Sequence, residues 1–157
     1  MDFSDLLADP VVKFQKDYYN PLYFVFSFAI PAVIPYLLSD ASAFDAFAVY
    51  VCRYMVTLHS TWFVNSTAHL FGEQPYSKKQ QARENSWVSY GALGEGYHNY
   101  HHTFPFDYRT SEDGMKLNFS KLFIDYMARI GQAYDLKKVN KDTIQTSKER
   151  VFLDLDH

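Results

Sequence analysis

The sequence contains little cysteine and little excess charge. Cys52 is the single cysteine among 157 residues, so the chain can form neither an internal disulfide nor a zinc site of the CxxC type. The net charge is −3, whereas nucleic-acid-binding domains are usually strongly basic. We therefore expect no nucleic acid among the partners. Hydrophobic residues make up 48% of the chain, which excludes a disordered protein, because disorder requires low hydrophobicity and high net charge.

Charged residues are scarce in the first half of the chain. Residues 1–72 contain only nine charged side chains, and residues 73–157 contain the others, twelve of each sign. The mean hydropathy of −0.27 is therefore the average of an apolar half and a water-soluble half. The acidic start of the chain has no basic region before an apolar stretch, so we expect no cleavable signal peptide.

Two long apolar runs follow the N-terminal region. Residues 18–39 carry no charge, and about 20 mostly apolar residues are enough for a helix to cross a bilayer. Residues 44–72 form a second run, which is interrupted by Asp45 and Arg53. A short connection joins the two runs, so the sequence predicts a transmembrane helical hairpin. The alternative for the first run is a buried core helix or a pair of strands.

Prolines and one arginine are unusual within these runs. Pro31 and Pro35 would break a soluble helix, whereas a membrane span tolerates them as kinks. Arg53 is costly inside a span unless it faces protein or water. Two interpretations are open for Arg53: it snorkels or closes a helix contact, or it lines a polar cavity.

The basic residues predict the orientation of the hairpin. Lysines precede the first run, lysine and arginine follow the second, and the connection between the runs has neither. Positively charged flanks favour the cytoplasmic side. We therefore expect residues 1–17 to be a cytosolic linker, residues 18–72 to be a two-span hairpin and residues 73–157 to be a cytosolic cap. Both termini would be cytosolic.

The predicted cap is helical. Asn118 can cap a helix over residues 120–130 that ends near Gly131, and a further helix is predicted for residues 142–152. The predicted fold class is therefore all-α: a membrane hairpin of two transmembrane helices and a cytosolic helical cap that carries a histidine box.

That histidine box is the sequence HNYHH at residues 98–102. Residues three and four apart share a helix face, so His98 could point with His101 and His102 towards one locus. Imidazole is a good ligand for Fe, Zn, Cu and Ni. Adjacent histidines point in different directions, so His101 and His102 could serve two neighbouring metals. The alternative is a surface or core cluster without metal.

Asn65 and His69 lie at the end of the second apolar run. Because they are four residues apart, they would share one face of a helix, and the nearby histidine box makes His69 a candidate ligand. We interpret His59 as structural. The pair Glu95 and His98 fits the Glu-x-x-His motif of di-iron bundles, but the sequence has one copy with glycines beside the glutamate, so we do not expect such a bundle. Zinc proteases fit poorly as well, because no HExxH is present.

Several segments resemble the membrane acyl-CoA Δ9 desaturases, the stearoyl-CoA desaturase family. Residues 91–108, GALGEGYHNYHHTFPFDY, resemble the third histidine box of that family. Residues 65–72, NSTAHLFG, resemble the end of its fourth span, and residues 8–15 resemble the linker before its third span. The resemblance extends to about residue 151 and is most specific in residues 62–108.

The resemblance implies an endoplasmic-reticulum membrane enzyme with two irons, bound by nine histidines and by a water that an asparagine holds. The matching positions for these ligands are His69, His98, His101 and His102, with Asn65 holding the water. Thr61 and Trp62 match positions that line the acyl tunnel of the family.

The implied reaction is the O₂-dependent insertion of a cis double bond into a saturated fatty acyl-CoA, as a step of unsaturated fatty acid biosynthesis. Electrons would arrive from cytochrome b5 and its NADH-dependent reductase. The family's first two histidine boxes are not found in this sequence, which has four of the nine histidines. We therefore expect the C-terminal half of a desaturase that is inactive alone. The alternatives are a noncatalytic membrane partner or remnant of a desaturase, and a related di-iron hydroxylase.

Overall fold

The computed structural model describes residues 4–112 and 117–155, and within these ranges the regular elements are helices. They are α1 (Ser4–Ala8), α2 (Pro10–Asp17), α3 (Tyr19–Tyr23), a π-helical segment (Phe24–Ala29), α4 (Ile30–Leu38), α5 (Ala43–Asn65), α6 (Thr67–Leu70), α7 (Ser86–Gly91), α8 (His98–Thr103), α9 (Phe119–Arg129) and α10 (Lys141–Phe152). The described ranges contain no strand, and two isolated antiparallel bridges join Glu84 to Glu73 and to Tyr97. The all-α prediction is therefore confirmed for this part of the chain.

The chain forms two compact units, Met1–Val56 and Thr57–His157. In the described part of the chain, one helical stretch is long and apolar enough to cross a membrane, Tyr19–Leu38. Pro31 and Pro35 lie in this stretch without ending it. Helix α5 is 23 residues long but does not reach the same hydropathy, because polar and charged residues interrupt it. The second span, and with it the hairpin, stays a prediction.

In the first unit, Arg53 contacts the candidate span at an irregular point of its backbone. Phe24–Ala29 is π-helical, and Pro31 follows in the first turn of α4. Because proline has no N–H, Pro31 cannot donate to the carbonyl of Ser27, four residues earlier. Arg53 Nη2 donates to that carbonyl at 3.1 Å, and its guanidinium lies 5.6 Å from the centre of the Tyr50 ring. This contact favours the interpretation that Arg53 closes a helix contact.

In the second unit, the two helices predicted for the cap are present. The Asn118 side chain accepts a hydrogen bond of 2.8 Å from a backbone amide in the first turn of α9. Helix α9 ends just before Gly131, whose φ of +75° is in the left-handed region that glycine favours after a helix. Asn140 caps α10 in the same way. Both predictions are confirmed to within a residue or two, because helix ends depend on local side-chain chemistry.

The core of the second unit lies directly behind α8. It consists of Tyr76, Tyr100, Phe104, Val139 and Ile144. The Tyr100 ring meets the rings of Tyr76 and Phe104 edge to face, with centres 5.1 Å and 5.0 Å apart. Tyr100 belongs to α8, and Phe104 is the residue that follows its last turn. The helix that carries the histidine box therefore also contributes to this core.

The contact of Arg53 with Ser27 can be tested with a double-mutant cycle. Arg53→Met removes the donor and should lower the free energy of unfolding by about 1 kcal/mol, the usual net value of one hydrogen bond. Pro31→Ala supplies a backbone amide that can reach the Ser27 carbonyl, so R53M should cost less in that background. Equilibrium unfolding of the detergent-solubilised chain measures both costs.

The control for this cycle is Pro35→Ala, which changes the backbone one turn further along α4. R53M should cost the same in the P35A background as in the unmodified chain. Equal costs of R53M in all three backgrounds would contradict the role assigned to Arg53.

Candidate metal centre

Three histidine side chains meet in the second unit. His98 Nε2 lies 2.9 Å from His69 Nε2 and 3.1 Å from His102 Nε2. One ring nitrogen from each residue lies within 4.8 Å of the other two. His98 and His102 are four residues apart on α8, which puts them on one face as the spacing predicts. His69 comes from α6 and precedes His98 by 29 positions.

The three imidazoles have the chemistry of a metal site. Burial, followed by the nearby imidazoles, lowers the pKa of His98 to about 4, and the same causes lower the pKa of His102. Neutral imidazole is the form that binds metals. His98 Nε2 faces two other ring nitrogens at once, but a neutral ring nitrogen can either donate or accept one hydrogen bond. A cation can satisfy the lone pairs of all three rings, so these residues fit a transition metal such as iron.

His101 and Glu95 lie near this cluster but outside it. The His101 ring centre is 5.8 Å from that of His98 and 5.5 Å from that of His102. The rings of His101 and His102 are inclined at 79°, as adjacent helical residues would be. His101 Nδ1 is buried and has no hydrogen-bond partner among the described residues. Glu95 is exposed and accepts a hydrogen bond of 2.8 Å from the Ser120 hydroxyl.

Asn65 and His69 do not lie on one helix. Helix α5 ends at Asn65 and α6 begins at Thr67, and the His69 amide donates to the carbonyl of Ser66 at 3.0 Å. The Ser66 hydroxyl donates to a carbonyl four residues earlier at 2.8 Å, and such local bonds compete with regular helix. The prediction of a shared helical face is therefore wrong. Asn65 Nδ2 instead donates to the carbonyl of Thr61 at 3.4 Å.

The two residues predicted to line an acyl tunnel are exposed on α5. Thr61 donates its hydroxyl to a carbonyl one turn earlier at 3.1 Å, and the Trp62 ring lies 5.7 Å from that of His59. A cavity of about 380 Å³ between α5 and α7 is lined by their neighbours Ser60 and Phe63, and Thr61 and Trp62 do not take part in it. Their role in substrate binding stays a prediction.

Asn99 ties α8 to the loop before α7, and the sequence analysis missed this residue. Its side chain is fully buried. Oδ1 accepts from the amides of Tyr76 and Ser77 at 2.9 Å and 3.2 Å. Nδ2 donates to the carbonyls of Ser77 and Ala82 at 2.8 Å and 2.9 Å. Because the side-chain amide is fully satisfied, the residue next to His98 is fixed in place.

Tyr100 anchors α8 to a buried ion pair. Its hydroxyl donates to Asp107 Oδ2 at 2.9 Å, and Arg109 Nη2 lies 2.6 Å from the same oxygen. The amide of Val139 also donates to Asp107, at 2.8 Å. Burial by itself raises the pKa of Asp107, but hydrogen bonds from Arg109, Val139 and Tyr100 outweigh it and lower the pKa to about 2. Burial also raises the pKa of Tyr100, so its hydroxyl stays a donor.

The side chain of Glu84, from the segment before α7, lies beside the first turn of α8. Its Oε1 accepts from the Tyr100 amide at 2.8 Å, while Oε2 is buried with no hydrogen-bond partner in the described ranges. Burial raises the pKa of Glu84 to about 7, although the backbone amides of Tyr100 and Asn99 lower it, and the charges of Glu112 and Glu73 raise it further. The sequence analysis did not single out Glu84, because nothing in its spacing relates it to the histidines.

In the part of the chain that the structure describes, the arrangement defines a class: a helical protein with one candidate membrane span and a cluster of three imidazoles, with His98 buried at its centre, that is suited to a transition metal. The family model for fatty acid desaturase matches residues 5–122, which is most of the chain. The chain therefore belongs to the fatty acid desaturase family.

Similarity to individual proteins is high over nearly the whole chain. Stearoyl-CoA desaturase 5 of Bos taurus is 44% identical over 151 residues, which are 96% of this chain and 45% of the relative. Delta(9)-fatty-acid desaturase fat-5 of Caenorhabditis elegans is 49% identical over 92% of this chain and 44% of the relative. The stearoyl-CoA desaturase of Homo sapiens is 48% identical over 92% of this chain and 40% of the relative. The chain thus spans less than half the length of these relatives.

The buried ion pair behind α8 gives a stability prediction. Asp107→Asn removes the buried carboxylate that lies 2.6 Å from the Arg109 guanidinium, which should lower the free energy of unfolding by about 3–5 kcal/mol. Denaturant unfolding measures this change. The matched control is Asp135→Asn, because Asp135 and Lys137 form an exposed pair at 4.0 Å. An exposed pair contributes about 0–1 kcal/mol, so D135N should be nearly neutral.

The same residue gives the pH dependence. The folded-state pKa of Asp107, about 2, lies below the ordinary value of 3.8 for an aspartate. Asp107 therefore contributes its stabilisation fully above about pH 4 and loses it as the pH falls towards 2. Unfolding midpoints should fall more steeply over this window in the unmodified chain than in D107N. Parallel pH profiles for the two chains would show that Asp107 does not carry this effect.

Proposed function

We propose that this chain supplies part of the di-iron centre of an acyl-CoA Δ9 desaturase, which inserts a cis double bond into a saturated fatty acyl-CoA with O₂. The convergence of His69, His98 and His102 is the observation that carries the proposal. The identity of 44–49% to proteins named stearoyl-CoA desaturase or Delta(9)-fatty-acid desaturase supports the reaction and the substrate.

In this proposal His69, His98 and His102 hold one iron, and His101 ligates a second iron. The different direction of the His101 ring and its unpartnered Nδ1 support this division. Asn65 would act through a water. Bound iron supplies the oxygen chemistry that removes hydrogen from an unactivated CH₂ group. The chain's own part is to present the imidazoles, among which burial lowers the pKa of His98 and His102, and to keep α8 in a fixed direction.

Thr61 and Trp62 are the proposed contacts of the acyl chain. A desaturase selects the reacting carbon by position, because the carbon held next to the metal reacts. Thr61 and Trp62 are on the last turns of α5, a few residues before His69 in the chain. This nearness in sequence supports their role.

The proposed setting is the endoplasmic-reticulum membrane. Residues 18–72 would form the two-span hairpin, and residues 1–17 and 73–157 would be cytosolic. The candidate span Tyr19–Leu38 and the contact of Arg53 with Ser27 support the hairpin. Cytochrome b5 and its NADH-dependent reductase would supply electrons on the cytosolic side, and membrane lipid would surround the spans.

A noncatalytic membrane partner of a desaturase is the second candidate. The observation that favours it is the number of ligands, because the sequence has four of the nine histidines that the resemblance implies. The two candidates agree on membrane insertion and differ in catalysis, so they can be separated by product formation.

The proposal can be tested by fusing the chain to the N-terminal portion of the human stearoyl-CoA desaturase. The fusion, expressed in a host that lacks Δ9 desaturase, should form monounsaturated acyl chains, measured by gas chromatography. His98→Gln should abolish the product, because it removes the ring that contacts both other imidazoles. His59→Gln, an exposed histidine outside the cluster, should retain activity.

The chain alone should form no product under the same conditions. A correctly inserted fusion that forms no product would refute the catalytic proposal and favour the noncatalytic partner. A hydroxylated product would instead assign the chain to the related hydroxylases.

A further inference from the structure

The histidine-box helix α8 cannot fix its own direction. It has six residues, and the residue before it provides no side-chain cap. The first backbone amides of a helix have no partners within it, and a helix of a few residues is marginal without external contacts. His98 is the first residue of α8, so its direction depends on how this first turn is held.

Glu84 provides the missing acceptor from a distant part of the chain. Its Oε1 accepts from the Tyr100 amide at 2.8 Å, across 16 positions of sequence. The backbone of Glu84 is itself held, since it exchanges two hydrogen bonds with Glu73 at 2.7 Å and 3.1 Å and forms a bridge with Tyr97.

Because Oε2 of Glu84 is unpartnered, the stability of the fold alone does not explain why a glutamate occupies this position. A buried oxygen without a hydrogen-bond partner is unfavourable for folding, and Oε2 of Glu84 is such an atom among the described residues. An apolar side chain would avoid this cost, but it would leave the Tyr100 amide without the acceptor that it has now. The feature that only an acceptor side chain can provide is the fixed first turn of α8.

We propose that Glu84 is a positioning residue: by capping the first turn of α8, it directs His98 and His102 towards His69. This inference rests on the proposed function of the cluster as a metal centre. Glu84 touches none of the three rings and acts through the backbone of α8. Asn99 and Tyr100 hold the other side of the same helix, so Glu84 completes its support at the N-terminal end.

Two substitutions separate the reach of the side chain from its charge. Glu84→Gln removes the charge but keeps an oxygen at the same distance along the side chain. Glu84→Asp keeps the charge but is shorter by one methylene, so its oxygen no longer reaches the Tyr100 amide. The matched controls are Glu95→Gln and Glu95→Asp, because Glu95 is an exposed glutamate three residues before α8 that bonds to Ser120.

The first measurement is the binding of Co²⁺ alone to the full, detergent-solubilised chain, followed by titration and visible absorption. E84D should weaken Co²⁺ binding by about 10- to 100-fold, the usual effect of losing a residue that orients metal ligands, and E84Q should remain within about threefold of the unmodified chain. The absorption bands of bound Co²⁺ should change in E84D and not in E84Q. Both Glu95 variants should bind as the unmodified chain does.

The second measurement needs no metal. Amide hydrogen exchange of the peptide that contains Tyr100 should be faster in E84D than in the unmodified chain, and unchanged in E84Q. If E84D binds Co²⁺ normally and exchanges normally, or if E84Q is the more damaging variant, the positioning role is refuted. If the unmodified chain binds no Co²⁺, the metal centre itself is refuted, and the exchange measurement still decides whether Glu84 caps α8.

Discussion

Helix α8 carries three of the four candidate ligand histidines on six residues, a length at which backbone hydrogen bonds alone do not hold a helix in a fixed direction. Its direction comes from buried polar contacts with other parts of the chain. The Asn99 amide bonds to the loop before α7, the Tyr100 hydroxyl to the ion pair of Asp107 and Arg109, and the Tyr100 backbone to Glu84. Each of these partners is itself held by further contacts. The positions of the imidazoles therefore depend on a network of hydrogen bonds that contains none of the candidate ligand side chains.

Those parts of the molecule that depend on neighbours in sequence could be predicted, and those that depend on distant partners could not. The cap at Asn118 and the common face of His98 and His102 follow from spacing alone. The bonds of Asn99 and Asp107 join residues 22 and 32 positions apart, and no periodicity encodes such pairs. A signal was present nevertheless: Asn99 is the polar residue of the histidine box that faces away from the histidines. The helix break at Ser66 has a different origin: the Ser66 hydroxyl bonds to a carbonyl in the preceding turn, and the spacing of Asn65 and His69 does not reveal such a bond.

The first unit shows the same compensation of one irregular feature by another. Pro31 removes a donor from the candidate span, and Arg53 donates to the carbonyl that Pro31 cannot reach. Each residue is unfavourable in an apolar helix when considered alone. Arg53 is also one of the residues that lower the hydropathy of α5. Arg53 therefore has two effects on α5. It lowers the hydropathy of the helix, and it bonds α5 to the helix before it.

The distance along the chain between His69 and His98, 29 positions, has a thermodynamic consequence. An ion shared by both side chains would act as a cross-link that closes a loop through residues 69–98, and a closed loop reduces the conformational freedom of the unfolded chain. Metal binding and folding free energy are then coupled. If the cluster binds a metal as proposed, a shortage of that metal would leave a larger unfolded fraction of the chain open to proteolysis, so the amount of folded protein would follow the metal supply.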